Sequence, residues 1–464
     1  MSGSFDLVVR DVVVPAAALA EGARGEPQRV DVAVRGERIA AVGPALARGA
    51  LEVAGGGALL LPGLIDNHVH FREPGATWKE GYVTGTSASL RGGATTVGEI
   101  QNNAPLVETV AQWQAKVASL AGRARTRVLA FGCATKGNLA SLRELARAAP
   151  AVKVFMAADG ELEVHERSAL RALFAEVAAA DGLLLVHAEM GPLVRAGLER
   201  FGDHAADFHR ARSVEAERAA IDLCNELSAE TGARVHYYHV SSALACESIR
   251  AAKARGLPVS GAACAHYLLF CDADVAQRGA LLKCNPSIKT ALDRVALRAA
   301  LRDGTLDVIQ SDHAPHPRAE KLERPFRGAP SGIPGADLFL PLWLSLVDDG
   351  VLTLDQLVER GCRGPARLHR LADRGALEPG LLADFVRVES CDWTVAESDF
   401  ASKAKQSPYV GRQLRQRVAQ AWIGGRLAFD RARGEDVAAL EEAAPPPLDA
   451  ESNGARGDGK SGCC

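Results

Sequence analysis

The chain has 464 residues, of which 47% are hydrophobic, so it can bury the core of one large domain and add a smaller one. Its formal net charge of -3 comes from 54 basic and 57 acidic residues, and this balance argues against nucleic acid or an anionic membrane as a partner. No apolar run has the length of a membrane span, and the first residues lack the features of a signal peptide.

Valine-rich segments near both ends of the chain predict strands with tight turns. At the start these are Phe5–Val14 and Val30–Val42, and after Leu371 the pattern returns at Gly375–Val388 and Arg417–Phe429. We expect the two sets to pair in one small β-sandwich domain. Both chain ends supply that domain, as residues 1–60 and 375–432.

Between these ends, apolar runs alternate with amphipathic helices eight times. The first run leads from Leu59 to His70, and the other seven are Ala94–Ile100, Thr126–Cys133, Ala151–Met156, Leu183–Val186, Arg234–Tyr238, Pro258–His266 and Leu306–Gln310. Eight βα units predict an α/β fold, a (β/α)8 TIM barrel over residues 61–374. In such a barrel the active-site groups lie at the carboxyl ends of the strands.

The first run ends in two histidines separated by one residue, His68 and His70. Residues two apart in a strand point to the same face, so both imidazoles can reach one metal ion. Alone, the pattern also fits two ordinary polar residues at a strand end. Further metal-competent side chains lie at or near the ends of later runs: Lys153, His187, His239 and Asp312. Four imidazoles and a carboxylate suit zinc or a similar divalent ion, and a lysine carboxylated by CO2 could bridge two ions.

The segment Ser311–His316, SDHAPH, gathers further candidate chemistry. Asp312 could bind metal and also take a proton from a bridging water, whose pKa two metal ions would lower toward neutrality. His316 lies beyond the strand, where it could contact substrate, and Arg72 continues the alternation of the first strand toward a ligand. The histidines with polar neighbours are expected to be ordinary surface residues: His165, His204, His209 and His369.

Eight motifs together resemble a known family. They are PGLIDNHVHFREPG, VKVFM, VHAE, HVSS, KCNPSIK, SDHAPH, APSGIPG and SKAKQSPYVG, spread between Phe5 and Phe429. With them the chain resembles the amidohydrolase superfamily and, within it, the dihydroorotases of the longer bacterial type. HxH together with SDHAPH and a downstream GIxG is a highly specific combination.

The resemblance implies two Zn2+ ions per subunit. His68, His70 and Asp312 would hold one ion and His187 and His239 the other, with a carboxylated Lys153 shared between them. It also implies four residues that bind the substrate, with a clamp for its carboxylate: Arg72, Asn102, Asn285 and His316.

The implied reaction is the reversible cyclisation of N-carbamoyl-L-aspartate to L-dihydroorotate in pyrimidine synthesis, with Asp312 as the general acid and base. The expected partner is a small-molecule substrate, in a homo-oligomer, and docking on aspartate carbamoyltransferase stays open. Two rival functions also remain. One is another cyclic amidase, such as a hydantoinase, dihydropyrimidinase or allantoinase, and the other is a non-catalytic scaffold related to these enzymes.

Three features depart from or refine the family pattern. The family usually has Pro-Asn-Thr where this chain has Gln101-Asn102-Asn103, and CAHYL replaces a common Pro-His-His pattern, so His266 is expected to be a structural neighbour of the site. Many members have aspartate in place of Lys153, so the lysine places the chain with the two-metal members.

The last segment, residues 433–464, is rich in Ala, Pro, Gly, Ser and charge, and predicts a disordered tail. It ends in Cys463-Cys464, which is not a CaaX prenylation motif. The ten cysteines are scattered without a CxxC pair, so we expect reduced thiols and a cytoplasmic protein.

Overall fold

A computed structural model describes residues 5–436 and residue 440. Its central feature is a closed ring of parallel strands. They are β6 (Leu64–Val69), β7 (Ala94–Glu99), β8 (Arg127–Ala130), β9 (Gly132–Cys133), β10 (Val152–Phe155), β11 (Leu183–His187), β12 (Arg234–Tyr237), β13 (Val259–Cys264) and β14 (Val308–Gln310), where β8 and β9 are two halves of the third barrel strand. The predicted (β/α)8 barrel is therefore confirmed.

The ring closes between its first and last strands. Beyond β14 the chain forms a parallel bridge from His313 to Val69, and the backbone N–H of His70 donates to the carbonyl of His313 at 2.8 Å. Every residue of β6, β7, β10 and β11 is buried, as expected for parallel strands that are covered on both faces.

Helices surround the barrel and fill its connections. They are α1 (Ala16–Leu19), α2 (Tyr82–Arg91), α3 (Val110–Leu120), α4 (Leu139–Ala148), α5 (Arg167–Ala179), α6 (Gly191–Phe201), α7 (Phe208–Ala211), α8 (Val214–Thr231), α9 (Ala243–Ala254), α10 (Ala265–Leu269), α11 (Asp272–Arg278), α12 (Ala291–Asp303), α13 (Arg318–Lys321), α14 (Phe339–Asp348), α15 (Leu354–Val358) and α16 (Gly364–Leu368). Hydroxyl side chains cap the N-termini of several, such as Thr109 before α3 and Ser213 before α8, because a side-chain oxygen can accept from a free N–H of the first turn.

The second sheet has strands from both chain ends, as predicted. Its N-terminal strands are β1 (Phe5–Val14), β2 (Gln28–Arg35), β3 (Arg38–Gly43), β4 (Gly49–Ala54) and β5 (Leu59–Pro62), and its C-terminal strands are β15 (Phe385–Thr394), β16 (Gln413–Ile423), β17 (Arg426–Asp430) and β18 (Glu435–Asp436). The two sets meet where β5 pairs antiparallel with β15. The apolar run that precedes His68 is thus divided at Gly63 between the two sheets.

The structure covers part of the predicted tail. Within 433–464, Glu435–Asp436 pair with β17, and Leu440 exchanges backbone hydrogen bonds with Gly122 and Ala124. Residues 437–439 and 441–464, with Cys463-Cys464, lie outside the described residues. Among the described helices, none combines the length and the apolar character needed to cross a membrane.

Gly92 marks a close approach between α2 and the segment that begins α14. Its carbonyl accepts from the backbone N–H of Leu340 at 2.7 Å, and a Cβ at this position would overlap the carbonyl oxygen of Ala336. The backbone of Gly92 is in the right-handed helical region, which alanine adopts freely, so only the overlap opposes a larger residue here.

We expect Gly92→Ala to lower the free energy of unfolding by about 1–3 kcal/mol, because one of the two segments must move. Urea denaturation measures the change. Gly137→Ala is the matched control, since its added Cβ would meet only Thr135 Oγ1 at an ordinary 3.6 Å, and its effect should stay within about 0.5 kcal/mol. Equal stability of Gly92→Ala and wild type would show that the packing here is looser than described.

Candidate metal centre and active site

A cavity of about 290 Å³ opens at the carboxyl ends of the barrel strands. Nine of the ten residues predicted for the site line it: His68, His70, Arg72, Asn102, His187, His239, Asn285, Asp312 and His316. The tenth, Lys153, lies on β10 and is 1% exposed, and its Nζ is 5.0 Å from the ring centroid of Phe155, which lines the cavity. The barrel therefore brings together residues that are up to 248 positions apart in the chain, from His68 to His316.

His68, His70 and Asp312 form a compact group of potential metal ligands. The Nε2 atoms of the two imidazoles are 3.1 Å apart, and Asp312 Oδ1 lies 3.5 Å from His68 Nε2 and 3.8 Å from His70 Nε2. All three side chains are buried, and their ligand atoms lie within 4.8 Å of one another. One divalent cation fits this set of donors.

His187 and His239 form a second pair beside the first. His187 Nδ1 is 3.1 Å from His239 Nε2, and the ring centroids of His239 and His68 are 5.3 Å apart. Burial is the largest cause that lowers the pKa of each of these imidazoles, so they are neutral at physiological pH. Neutral imidazole is the form that binds metal.

The outward nitrogens of three imidazoles are engaged by fixed groups. The Nδ1–H of His70 donates to the carbonyl of Ile100 at 3.1 Å, and the Nε2–H of His187 donates to Glu189 at 2.9 Å. Gln310 lies 3.1 Å from His68 Nδ1, and its own Oε1 has no partner among the described residues. A half-turn of that amide lets Oε1 accept from Nδ1–H, which satisfies both groups.

These contacts leave lone pairs directed at the centre. In the tautomer that these partners favour, with the protons of His68 and His70 on Nδ1, both rings turn Nε2 lone pairs toward each other and toward the Asp312 carboxylate. Lone pairs this close repel each other unless a cation lies between them. The donor set therefore fits a metal ion, and outward bonds of this kind are what orient histidine ligands in metal sites.

Lys153 is an amine in an unusual environment. Its Nζ makes no hydrogen bond to any described residue and lies 4.0 Å from the ring centroid of Tyr238 and 5.0 Å from that of Phe155. Burial lowers the pKa of Lys153 well below its ordinary value, which favours the uncharged amine. A charged Lys153 would in turn lower the pKa of all four imidazoles.

Asp312 is a carboxyl group poised near neutrality. Burial raises its pKa to about 7, although the nearby charges of Lys153 and Arg72 act in the opposite direction. The neighbouring Asp66 accepts from the backbone N–H of Ser311 at 2.9 Å and so holds the start of the SDHAPH segment against β6. A carboxyl group with such a pKa can accept and return a proton at physiological pH.

The cavity is also lined by the guanidinium of Arg72 and by the amides of Asn102 and Asn285. Arg72 Nη1 donates to Asn102 Oδ1 at 2.9 Å, and its Nη2 lies 3.4 Å from His316 Nε2. His316 donates from Nε2 to the carbonyl of Ser331 at 3.0 Å, and Lys79 Nζ donates to its Nδ1 at 3.2 Å. The Ser331 hydroxyl in turn donates to Asn285 Oδ1 at 3.0 Å, so these predicted substrate contacts form one connected wall.

Sequence reasoning missed the residues that support this site. Glu189 follows His187 by two positions and Gln310 precedes Asp312 by two positions, both at strand ends, which is a signal that could have found them, whereas Lys79 has no comparable signal. One prediction is wrong. His369 was expected on the surface, but it is 2% exposed and stacks on Phe131 with ring centroids 5.3 Å apart.

Comparison with known proteins places the chain in a family. The model of the amidohydrolase family matches residues 59–428. This chain belongs to the amidohydrolase family. Among its curated relatives, the dihydroorotase of Trichlorobacter lovleyi is 34% identical and covers 88% of this chain and 96% of its own length. The dihydroorotase of Anaeromyxobacter dehalogenans is 36% identical over 81% of this chain and 87% of its own. The predicted resemblance is confirmed.

Solved structures of a hydantoinase and a dihydropyrimidinase share the fold over nearly the whole chain. The L-hydantoinase (dihydropyrimidinase) of Arthrobacter aurescens superposes with a TM-score of 0.89 at 25% identity and covers 96% of this chain and 100% of its own. The dihydropyrimidinase of Brevibacillus agri gives a TM-score of 0.84 at 24% identity, covering 94% and 97%. The second likeness shows the fold alone.

Glu189 should act on metal binding through His187. Glu189 is fully buried and also receives Arg212 Nε at 3.1 Å, so its position is fixed. We expect Glu189→Gln to weaken metal binding at the His187–His239 pair by about ten- to a hundredfold, because an amide orients the ring less strongly than a carboxylate. Competition with a chromophoric chelator and metal analysis of the purified protein measure the loss.

The control for this variant is Glu166→Gln, which removes an exposed carboxylate that pairs with Lys136. That variant should bind metal like wild type. If Glu189→Gln also retains wild-type metal affinity, Glu189 does not orient His187 for a metal ion.

Proposed function

We propose that this chain is a zinc-dependent dihydroorotase, which interconverts N-carbamoyl-L-aspartate and L-dihydroorotate in de novo pyrimidine synthesis. One observation carries the proposal: the guanidinium of Arg72, bonded to Asn102, lies on the wall of the same cavity as the metal-competent imidazoles. A planar guanidinium can donate two parallel hydrogen bonds to a carboxylate. The curated relatives of this chain that are named dihydroorotase support the same reaction.

The proposed metal ligands divide into two groups. His68, His70 and Asp312 would hold one zinc ion, His187 and His239 the other, and a carboxylated Lys153 would be shared. Zinc, when bound, polarises a carbonyl oxygen and lowers the pKa of a coordinated water.

The residues of the chain would orient the substrate and move one proton. Arg72, Asn102, Asn285 and His316 would bind the carboxylate and the ring, so that the ring amide faces the imidazoles. In the hydrolytic direction Asp312 would accept a proton from the attacking water and pass it to the ring nitrogen as the C–N bond breaks. The position of Asp312 on the cavity wall, beside the Nε2 atoms of His68 and His70, supports this role.

Carboxylation of Lys153 would follow from its uncharged state. The free electron pair of Nζ attacks the carbon of CO2, a nitrogen–carbon bond forms, and one proton leaves to give a carbamate. The product is an anion in place of a neutral amine, and an anion is what a shared ligand of two metal ions would have to be. The lowered pKa of Lys153 and its lack of a hydrogen-bond partner among the described residues support the proposal.

The proposal includes a cytoplasmic location. The eight described cysteines are all free, which supports a cytoplasmic location, where thiols stay reduced. A homo-oligomeric state and docking on aspartate carbamoyltransferase stay predictions.

The deciding experiment compares dihydroorotate, hydantoin, dihydrouracil and allantoin as substrates of the purified protein. We expect turnover of dihydroorotate, and Arg72→Met should lower its kcat/KM by at least about a hundredfold while both metals stay bound. The loss of a charge-assisted pair from a buried site has this magnitude. Turnover of an uncharged ring amide should change far less.

Arg171→Met is the control for this variant, because Arg171 is an exposed arginine that pairs with Glu230. It should behave like wild type. If Arg72→Met processes dihydroorotate as well as wild type does, the carboxylate clamp is wrong and a hydantoinase becomes the better assignment. No turnover of any of the four compounds by the metal-loaded protein would favour a non-catalytic scaffold.

Lys153→Ala should lose most of its bound metal and activity, because the shared anionic ligand is gone. Short carboxylic acids should restore part of both by occupying the same place. Metal analysis with and without added acetate or propionate measures the effect, with Lys136→Ala, an exposed lysine, as the control. Full metal content in Lys153→Ala would rule out a bridging role.

A further inference from the structure

The loop that follows β7 is held by one buried amide. Gln101 is 1% exposed, and its Nε2 donates to the carbonyls of Pro74, Asn103 and Pro105 at 2.8, 3.1 and 3.2 Å. Its Oε1 accepts from Lys116 Nζ at 2.7 Å. Both polar ends of the side chain are thus satisfied, in a position where the family usually has proline.

Lys116 connects this amide to the end of β7. The lysine is 3% exposed and reaches inward from α3 to an ion pair with Glu99 Oε2 at 2.5 Å. Its ammonium group also donates to the carbonyl of Glu73 at 3.3 Å. The buried positive charge of Lys116 is balanced by the buried negative charge of Glu99. The ammonium group that binds Gln101 Oε1 is therefore itself held in place.

The contacts join two loops, residues 72–75 and residues 100–105. Asn103 Nδ2 donates to the carbonyl of Pro74 at 2.7 Å, the same oxygen that Gln101 engages. Gly75 has a φ of 110°, and a Cβ there would overlap the carbonyl oxygen of Ala104, so the loops touch through backbone. Arg72 belongs to the first loop and Asn102 to the second.

We propose that Gln101 is a positioning residue for the substrate carboxylate, because it sets the distance between Arg72 and Asn102 before substrate binds. This inference deepens the proposed function and rests on it. Gln101 itself does not line the cavity, so it would act only through Arg72 and Asn102, which lie on the two loops that it joins. When the donors are already in place, the substrate binds without the free-energy cost of ordering a loop. The effect of this prearrangement is therefore on substrate binding.

Gln101→Met tests the proposal, since methionine has a similar length and lacks the amide. We expect the KM for dihydroorotate to rise about tenfold, with a much smaller change in kcat and with both metals retained. In an Arg72→Met background the same change should have little further effect on KM, because the residue through which it acts is gone. A residue with a merely structural role would not show this dependence on Arg72.

Asn103→Ala is a second variant that removes the other tie to Pro74 from a half-buried position, so folding should survive. It should raise KM in the same direction by a smaller factor, and it decides the question if Gln101→Met does not fold. Asn225→Leu is the control. It removes a buried amide that bonds to Tyr237 and Ser248 in a different part of the barrel, and it should leave KM unchanged.

The outcomes separate this inference from the proposed function. Wild-type protein without dihydroorotate turnover overturns both. An active wild type with equal KM in Gln101→Met, or with losses in Gln101→Met that are the same in the Arg72→Met background, overturns the positioning role alone. A KM increase that depends on Arg72 supports it.

Discussion

Two imidazole nitrogens, His68 Nε2 and His70 Nε2, face each other at 3.1 Å, and this is the constraint on which the rest of the site depends. A second proton on either ring would place an N–H between them, but burial lowers the pKa of both His68 and His70, so the charged imidazolium form is costly. A divalent cation with a carboxylate beside it relieves the repulsion and compensates the charge at the same time. The site is therefore arranged so that metal competes well against protons, and the supporting bonds from Ile100, Gln310 and Glu189 serve that arrangement.

The second domain contributes to this end of the barrel through the segment that leads into β16. Ser402 donates to Glu80 at 2.5 Å, and Glu80 lies 3.4 Å from the Nε2 of His313, the residue next to Asp312. Gln406 donates to the carbonyl of His316 at 2.6 Å. These contacts give a physical reason for the SKAKQSPYVG motif, which has no catalytic group of its own. It holds the loop after β14 in place from outside the barrel.

Local pattern predicted the barrel well, because each strand is a short apolar run and each metal-competent residue lies at or near the end of one. A β-domain shared by both chain ends was also predicted, since valine-rich strands at both ends need partners. The segment that joins the two sets was not predicted, because β5 is the leucine run that was assigned to the first barrel strand. The contacts that hold the site residues in place could not be predicted in this way. Gln101, Lys116 and Lys79 meet their partners across separate loops, and no period in the sequence reports such a contact. The burial of His369 was missed for the same reason, because its polar neighbours in sequence are not its neighbours in space.

The backbone at the strand ends explains how the side chains are aimed. Arg72, His239 and Asp312 have φ values of 63°, 40° and 52°, which non-glycine residues rarely adopt and which cost roughly 1–2 kcal/mol each. On either side of His239 the backbone stays hydrogen-bonded to the neighbouring strands. The backbone N–H of Tyr238 donates to the carbonyl of Val186, and that of Val240 donates to the carbonyl of Ala262. Because His239 has a positive φ between these two hydrogen-bonded neighbours, its side chain does not follow the up-and-down alternation of a strand. It lines the cavity instead. The alternation of side chains along a strand therefore explains the direction of the His68 side chain but not that of His239. The backbone hydrogen bonds on either side of His239 offset the strain of its positive φ.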